Sequence, residues 1–325
     1  MTYAIRLFIY FIFFFFIACD KEEDKKDVFV DTLEFSELGS DGPYSYGKTY
    51  QGRNGYSTYY PGDIPIILSV PHGGDISPAE IANRTYGVYV TDSNTIELAM
   101  SIRSYFYSTY GIRPYVVINN LKRTKLDANR DKTEAAQGNI YAERAFDEFH
   151  YYIENAREEI ITNFNTGILF DIHGHGPNPD GFVDIRTWIG YLLSGSELDE
   201  SDEFINENIS IDQTSLSSLV QYSSQPLSII IRGEKSLGSI FEKKGYEALP
   251  SSSSPSPQGM RYFSGGFNTQ LYGTNKNYNF SAIQLEFPYP GIRDSMDSWD
   301  TFSKIFVEIV NEYFIHNLNI DLSSN

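Results

Sequence analysis

Cysteine is almost absent from this 325-residue chain: Cys19 is the only one. No disulfide can form within it, so the redox state of its compartment has no bearing on its stability. Positive charge is also scarce, with 25 Lys and Arg against 43 Asp and Glu, a net charge of -18 and a pI of about 4.6. So acidic a chain repels phosphate backbones, which argues against nucleic-acid binding as its main task. Long apolar runs are missing too. The run over 7–17 is shorter than the roughly 20 residues that a membrane-spanning helix needs. There is no internal repeat, and histidine occurs only five times. Aromatic residues, by contrast, are plentiful. The 25 tyrosines and 23 phenylalanines exclude a disordered acidic chain. The length suits one large domain or two modest ones, enough to bury a full core without staples.

Residues 1–19 read as a targeting signal rather than as structure. Arg6 gives a weak positive start, 7–17 an apolar stretch, and Ala18-Cys19 an end to it. Ile17-Ala18-Cys19 resembles a lipobox, although Phe16 stands where leucine is usual. The resemblance implies a lipid on Cys19; an uncleaved anchor helix is the alternative. Next comes Asp20-Lys21-Glu22-Glu23-Asp24-Lys25-Lys26-Asp27, which reads as a solvated tether. The same residues resemble the acidic export signal of surface-exposed bacterial lipoproteins. The expected organisation is therefore a lipoprotein signal peptide (1–19), an acidic flexible tether (20–40) and a single α/β domain (41–325). The expected location is the outer membrane of the cell envelope, exposed at the surface.

Within the domain, apolar runs predict strands over 64–70, 114–119, 168–172 and 282–287. Helical spacing predicts helices over 92–110, 140–164, 237–244 and 299–317, with Gly111 and Gly167 closing the first two. A turn is expected over 59–63, an acidic loop over 197–208, a short strand over 229–231 and a Ser/Pro loop over 251–257. Strands alternating with helices imply an α/β fold: a mixed, mostly parallel sheet flanked by helices.

Two of the predicted strands run into histidine followed by glycine, at Pro71-His72-Gly73-Gly74 and at Asp171-Ile172-His173-Gly174-His175-Gly176. Glycine allows a sharp turn and a close approach. In open α/β sheets, ligands bind beyond the carboxyl ends of the strands, where both histidines fall. Two imidazoles and a carboxylate, with a fourth position left to water, make a hydrolytic zinc site. Asp75 and Asp92 are both candidates for the carboxylate. Asp171 lies on the same strand face as His173 but one pleat deeper. His175 is a spare candidate, and Gly174 and Gly176 suggest that the strand has ended before it. His150 and His316 lie inside helices and read as packing or surface residues.

A basic segment, Asn120-Leu121-Lys122-Arg123-Thr124-Lys125-Leu126-Asp127-Ala128-Asn129-Arg130-Asp131, also follows a predicted strand. Arginine offers a planar fork matched to a carboxylate. Asn129 and Arg130 suit a substrate carboxylate, and Arg123 a carbonyl oxygen; a solvated loop is the plain alternative. Glu286 sits within the apolar strand Ser281-Ala282-Ile283-Gln284-Leu285-Glu286-Phe287. A buried carboxylate needs a partner or has a raised pKa, so Glu286 is either a general base or half of a structural ion pair.

Taken in order, these motifs resemble the N-formylglutamate amidohydrolase family, relatives of zinc carboxypeptidases. The resemblance rests on Pro71-His72-Gly73-Gly74, Thr91-Asp92, Arg123, Asp127-Ala128-Asn129-Arg130-Asp131 and Asp171-Ile172-His173-Gly174. It continues through Gly265-Gly266-Phe267-Asn268-Thr269, Tyr272-Gly273 and Gln284-Leu285-Glu286. Glycine replaces the family's serine after both histidines, which is closer to phage poly-γ-glutamate hydrolases. That branch places a ligand glutamate five residues after its first histidine, where this chain has Ser77. The resemblance implies a zinc-carboxypeptidase-like fold with zinc on His72, Asp92 and His173. It also implies Glu286 and Arg123 as catalytic residues, with Asn129 and Arg130 holding a carboxylate. The stretch 194–262 matches no part of the pattern and is expected to shape the substrate pocket.

The expected activity is zinc-dependent hydrolysis of an amide or peptide bond in a carboxylate-bearing substrate: an N-acyl amino acid, a γ-glutamyl compound or a cell-wall peptide. A surface binding lipoprotein that keeps the fold without turnover is the competing reading. The targeting segment gives the first prediction. Cys19→Ser should abolish incorporation of labelled fatty acid in bacterial cells; undiminished labelling would refute the lipobox.

Overall fold

Strand periodicity sorts the apolar residues of this chain onto the two faces of one sheet. The computed structural model describes residues 35–178, 180–274 and 279–324. The targeting segment, Cys19 and the first part of the tether lie outside the described residues. Within them, no helix is long and apolar enough to cross a membrane.

The strands are β1 (Tyr50–Gln51), β2 (Ser57–Tyr60), β3 (Ile66–Val70), β4 (Tyr115–Asn119), β5 (Gly167–His175), β6 (Thr187–Gly190), β7 (Ala248–Leu249) and β8 (Phe280–Pro288). They form one eight-stranded sheet in the order β1-β2-β4-β3-β5-β8-β6-β7. The central run β4-β3-β5-β8 is parallel throughout, as is β6-β7. The pairs β1-β2, β2-β4 and β6-β8 are antiparallel. The larger helices are α1 (Thr95–Tyr110), α3 (Ile140–Phe164) and α10 (Met296–Leu318). The smaller ones are α2 (Lys132–Ala136), α4 (Gly195–Leu198), α5 (Asp202–Asn208), α6 (Ser217–Ser223), α7 (Leu227–Arg232), α8 (Leu237–Lys243) and α9 (Phe267–Gly273). The architecture is mixed α/β, a mostly parallel sheet flanked by helices.

One face carries Ile66, Leu68, Val116, Ile118, Ile168, Phe170, Ile283 and Leu285, packed with Leu98 and Ile102 of α1 and Phe302 and Phe306 of α10. The other carries Ile67, Val117, Leu169 and Ala282, packed with Phe149, Ile153, Ala156 and Ile160 of α3. Because side chains alternate with period two, the α3 face continues as Ser69 on β3, as Asp171, His173 and His175 on β5, and as Gln284 and Glu286 on β8. That face is apolar at the amino ends of the strands and polar at their carboxyl ends, with all six polar residues buried. The register sets Ser69 beside Asp171 and His173 beside Glu286.

Several local expectations are corrected. β5 runs on through His173, Gly174 and His175, held by parallel pairing with β8 as far as His175 and Pro288. α3 is closed by Asn165 in the left-handed region (φ 64°), while Gly167 opens β5. The acidic stretch expected as a loop holds α4 and α5, capped by Ser194 and Ser201. The run Ile229-Ile230-Ile231, expected as a strand, lies in α7, where Ile230 and Ile231 pack inward. Part of the expected turn at 59–63 belongs to β2.

Gly74 is fixed by a close approach. A Cβ there would collide with the carbonyl carbon of Asn120, a backbone atom that cannot swing aside. Gly176 faces open space instead. Gly74→Ala should therefore lower stability by about 1–3 kcal/mol in urea unfolding, whereas Gly176→Ala should change it little. Equal stability of the two variants would refute the packing argument.

Candidate metal centre and cleft

His72 follows the end of β3. Its position is fixed from both sides: Asn119 Nδ2 donates to Pro71 O at 2.8 Å, and Asp92 N donates to His72 O at 3.0 Å. His173 lies on the neighbouring strand β5. The two imidazoles meet with Nδ1 to Nδ1 at 3.1 Å. Asp92 Oδ2 lies 3.1 Å from His173 Nδ1 and 3.4 Å from His72 Nδ1. These three side chains are buried and form a group able to hold a metal ion. Of the two carboxylates left open by the sequence, Asp92 belongs to the group and Asp75 is exposed.

The outward nitrogens decide the tautomers. His72 Nε2 lies 2.6 Å from Asp127 Oδ1, and His173 Nε2 lies 2.8 Å from Asp171 Oδ2. Each carboxylate accepts only if its Nε2 carries the proton, so in the neutral rings both Nδ1 lone pairs face inward. Three acceptors at about 3 Å need a positive charge among them: without a metal, the raised pKa of His173 puts a proton on Nδ1 facing Asp92, and a divalent ion would take that proton's place. The donor set therefore fits a divalent ion, held by His72 Nδ1, His173 Nδ1 and Asp92.

The supporting carboxylates are themselves held. Asp171 Oδ1 accepts from Ser69 Oγ at 2.5 Å and Asn268 Nδ2 at 3.2 Å. Asp127 accepts from Arg123 Nε at 3.0 Å and Asn129 N at 3.2 Å. Burial works against the charge of His173, but Asp171 and Asp92 outweigh it and lift its pKa to about 10. Burial likewise opposes the charges of Asp92 and Asp127. Hydrogen bonds from both histidines hold Asp92 below the ordinary range, and His72 and Arg123 do so for Asp127.

Glu286 faces the same space from β8. Burial pushes its pKa up to about 7, with the charge on His173 pulling the other way and Asp92 adding to the rise. Gln284 Nε2 donates to its Oε1 at 2.9 Å. A cleft of about 490 Å³ opens over these groups, and Arg123, Arg130 and Arg261 also line it. Arg123 is held by Asp127 and by Val90 O at 3.2 Å. Arg130 is partly exposed.

Asn129 lines the cleft; its Oδ1 accepts from Asn268 N at 2.8 Å, and its Nδ2 lies 3.1 Å from His173 Nε2. His175 also lies outside the metal group. Its Nε2 bonds Arg186 O at 2.9 Å, and its ring stacks on Trp188 at 3.9 Å. His150 is buried in α3 against Tyr272 Oη at 2.6 Å, and burial lowers its pKa to about 3. His316 lies in α10, 3.9 Å from Glu312.

Sequence reasoning did not single out Asp127, Arg261 or Arg293. Asp127 stood inside a quoted motif, four residues after Arg123, a spacing that matches their ion pair. Arg293 left no such signal because its side-chain hydrogen bonds go to backbone carbonyls. Its guanidinium donates to Phe287 O at 3.1 Å, to His175 O at 2.9 Å and to Ser93 O. It thereby ties together the segments that bear Glu286, His173 and Asp92. A Cβ on Gly174 would collide with that guanidinium, which accounts for glycine after His173.

No family model matches the chain, and no curated protein matches it in sequence. Among solved structures, it is similar to an N-formylglutamate amidohydrolase from Ralstonia eutropha JMP134. The two are 12% identical over 81% of this chain and 97% of that one, with a TM-score of 0.49. It is also similar to a gene product of Agrobacterium tumefaciens, 13% identical over 78% of this chain and 91% of that one, with a TM-score of 0.46.

The donor geometry predicts binding of about one divalent ion per chain. By metal analysis after dialysis, His72→Ala and His173→Ala should lose it and His150→Ala should keep it. Asp127→Asn should weaken retention by about 10–100-fold, the usual effect of removing a carboxylate behind a histidine ligand. Full retention in both ligand variants would overturn the site.

Proposed function

We propose that this protein is a zinc-dependent hydrolase of an amide or peptide bond in a carboxylate-bearing substrate, such as an N-acyl amino acid, a γ-glutamyl compound or a cell-wall peptide. One observation carries the reading: a buried His-Asp-His donor set shares a cleft with a buried carboxylate whose pKa is raised to about 7. Two imidazoles and one carboxylate suit zinc by ligand type. A bound zinc ion would polarise the scissile carbonyl and lower the pKa of water.

The chain's own residues do the rest. Glu286 takes the proton from the attacking water and passes it to the departing nitrogen. Gln284 fixes Oε1 of that carboxylate, so the acceptor is already oriented. Arg123, steadied by Asp127, offers its guanidinium to the developing oxyanion. Arg130 and Arg261 supply positive charge for the substrate carboxylate. Asp127 and Asp171 keep the two histidines in place. The lipobox-like segment and acidic tether support a protein anchored by lipid to the outer membrane and facing outward.

Glu286→Gln tests the reading, because it keeps the shape and removes the base. The variant should retain metal and substrate affinity while losing about 100-fold or more in turnover. In the unaltered protein, kcat/KM should fall on the acid side as Glu286 takes up its proton, because burial raises its pKa and only the carboxylate form can accept a proton. Unchanged turnover in the variant would remove Glu286 from the mechanism. Loss of metal or of folding would make it a ligand or a structural residue.

A further inference from the structure

Beside its charged groups, the cleft carries an apolar strip. Val88, Val90 and Asp92 line it, while Tyr89 and Thr91 between them do not. This alternation puts two valines in a strip that runs directly into a proposed metal ligand. The valines are well exposed, Val90 at 71% and Val88 at 44%. Their backbone cannot fold away to hide them. Val88 O accepts from Arg84 Nη1 at 2.8 Å, Val90 O accepts from Arg123 Nη1, and Asp92 N is bonded to His72 O. Both arginines are buried.

Phe263 also lines the cleft and is fixed from behind. Its ring meets Trp188 edge to face at 5.6 Å, Trp188 stacks on His175, and the Arg261 guanidinium lies 4.8 Å from the Phe263 centroid. Apolar side chains held open to water in this way gain free energy when an apolar group covers them. They adjoin three arginines in one cleft of a chain whose net charge is -18. Together these features match a ligand with a carboxylate at one part and an apolar group at another.

We infer that the substrate of this site carries an apolar group of several carbons beside the amide, in addition to its carboxylate, and that Val88, Val90 and Phe263 receive that group. This rests on the hydrolase reading and narrows it. The apolar group can belong to the acyl side, as in a medium-chain N-acyl amino acid, or to the amino-acid side, as in an N-acetyl aromatic amino acid.

The test uses zinc-loaded full-length protein and two series. N-acetyl-, N-hexanoyl- and N-decanoyl-glutamate vary the acyl side; N-acetyl-alanine, -leucine and -phenylalanine vary the other. Affinity is measured by calorimetry on the Glu286→Gln protein, and hydrolysis on the unaltered protein. Affinity should rise about tenfold or more along one series, a rise consistent with the contribution of methylenes in an apolar pocket. The series that rises identifies the side. The double change Val88→Asn, Val90→Asn should flatten that rise; a ratio unchanged in the double variant overturns the assignment of the rim. Flat affinity in both series overturns the proposal, whether or not hydrolysis occurs. A rise in affinity without hydrolysis of any compound would leave the rim standing and overturn the hydrolase reading.

Discussion

The approach of two imidazole nitrogens to 3.1 Å is the constraint on which the site depends. Two imidazole nitrogens and a carboxylate do not choose such proximity without a proton or a metal ion among them; the surrounding structure imposes it. Asp127 and Asp171 take the outward N–H groups, so neither ring can turn without breaking a charge-assisted hydrogen bond. Those carboxylates are in turn held by Arg123, Ser69 and Asn268. A group so supported is preorganised for a cation, because the cost of crowding its acceptors is met when the chain folds.

The sheet explains why this crowding can exist. Parallel neighbours β3, β5 and β8 all end at the same edge. A period of two then sends Ser69, Asp171, His173, Gln284 and Glu286 to a single face. Further back, that face is occupied by Ile67, Leu169 and Ala282 against α3. The polar half therefore sits on a packed floor that excludes water from below. Burial raises the pKa of Glu286 while the histidines keep Asp92 ionised, so two carboxylates in one cleft are driven apart in protonation.

Much of this was legible in the sequence because the signals were local. Each histidine turn followed an apolar run, Glu286 interrupted one, and α3 announced its 25 residues by its apolar stripe. The misread segments failed for physical reasons. Gly174 looked like the end of β5, but it is glycine because Arg293 lies against it, and pairing with β8 carries the strand through. The three isoleucines of α7 are intrinsically strand-prone, yet packing of two of them, Ile230 and Ile231, holds the segment as a helix.

Arg293 shows most clearly what sequence could not reveal. Among the described residues its hydrogen bonds go to backbone carbonyls, and it lies in none of the quoted motifs. Yet its three donors reach carbonyls in the loop before α1, at the end of β5 and at the end of β8. Asp92 is next to the first of these carbonyls, His173 is two residues from the second, and Glu286 is next to the third. A buried guanidinium must satisfy its donors, and here it does so on the backbone of the segments whose spacing defines the site. The fold delivers metal donors and base to one edge. This cation, chosen by no local pattern, ties together the backbone segments that carry Asp92, His173 and Glu286.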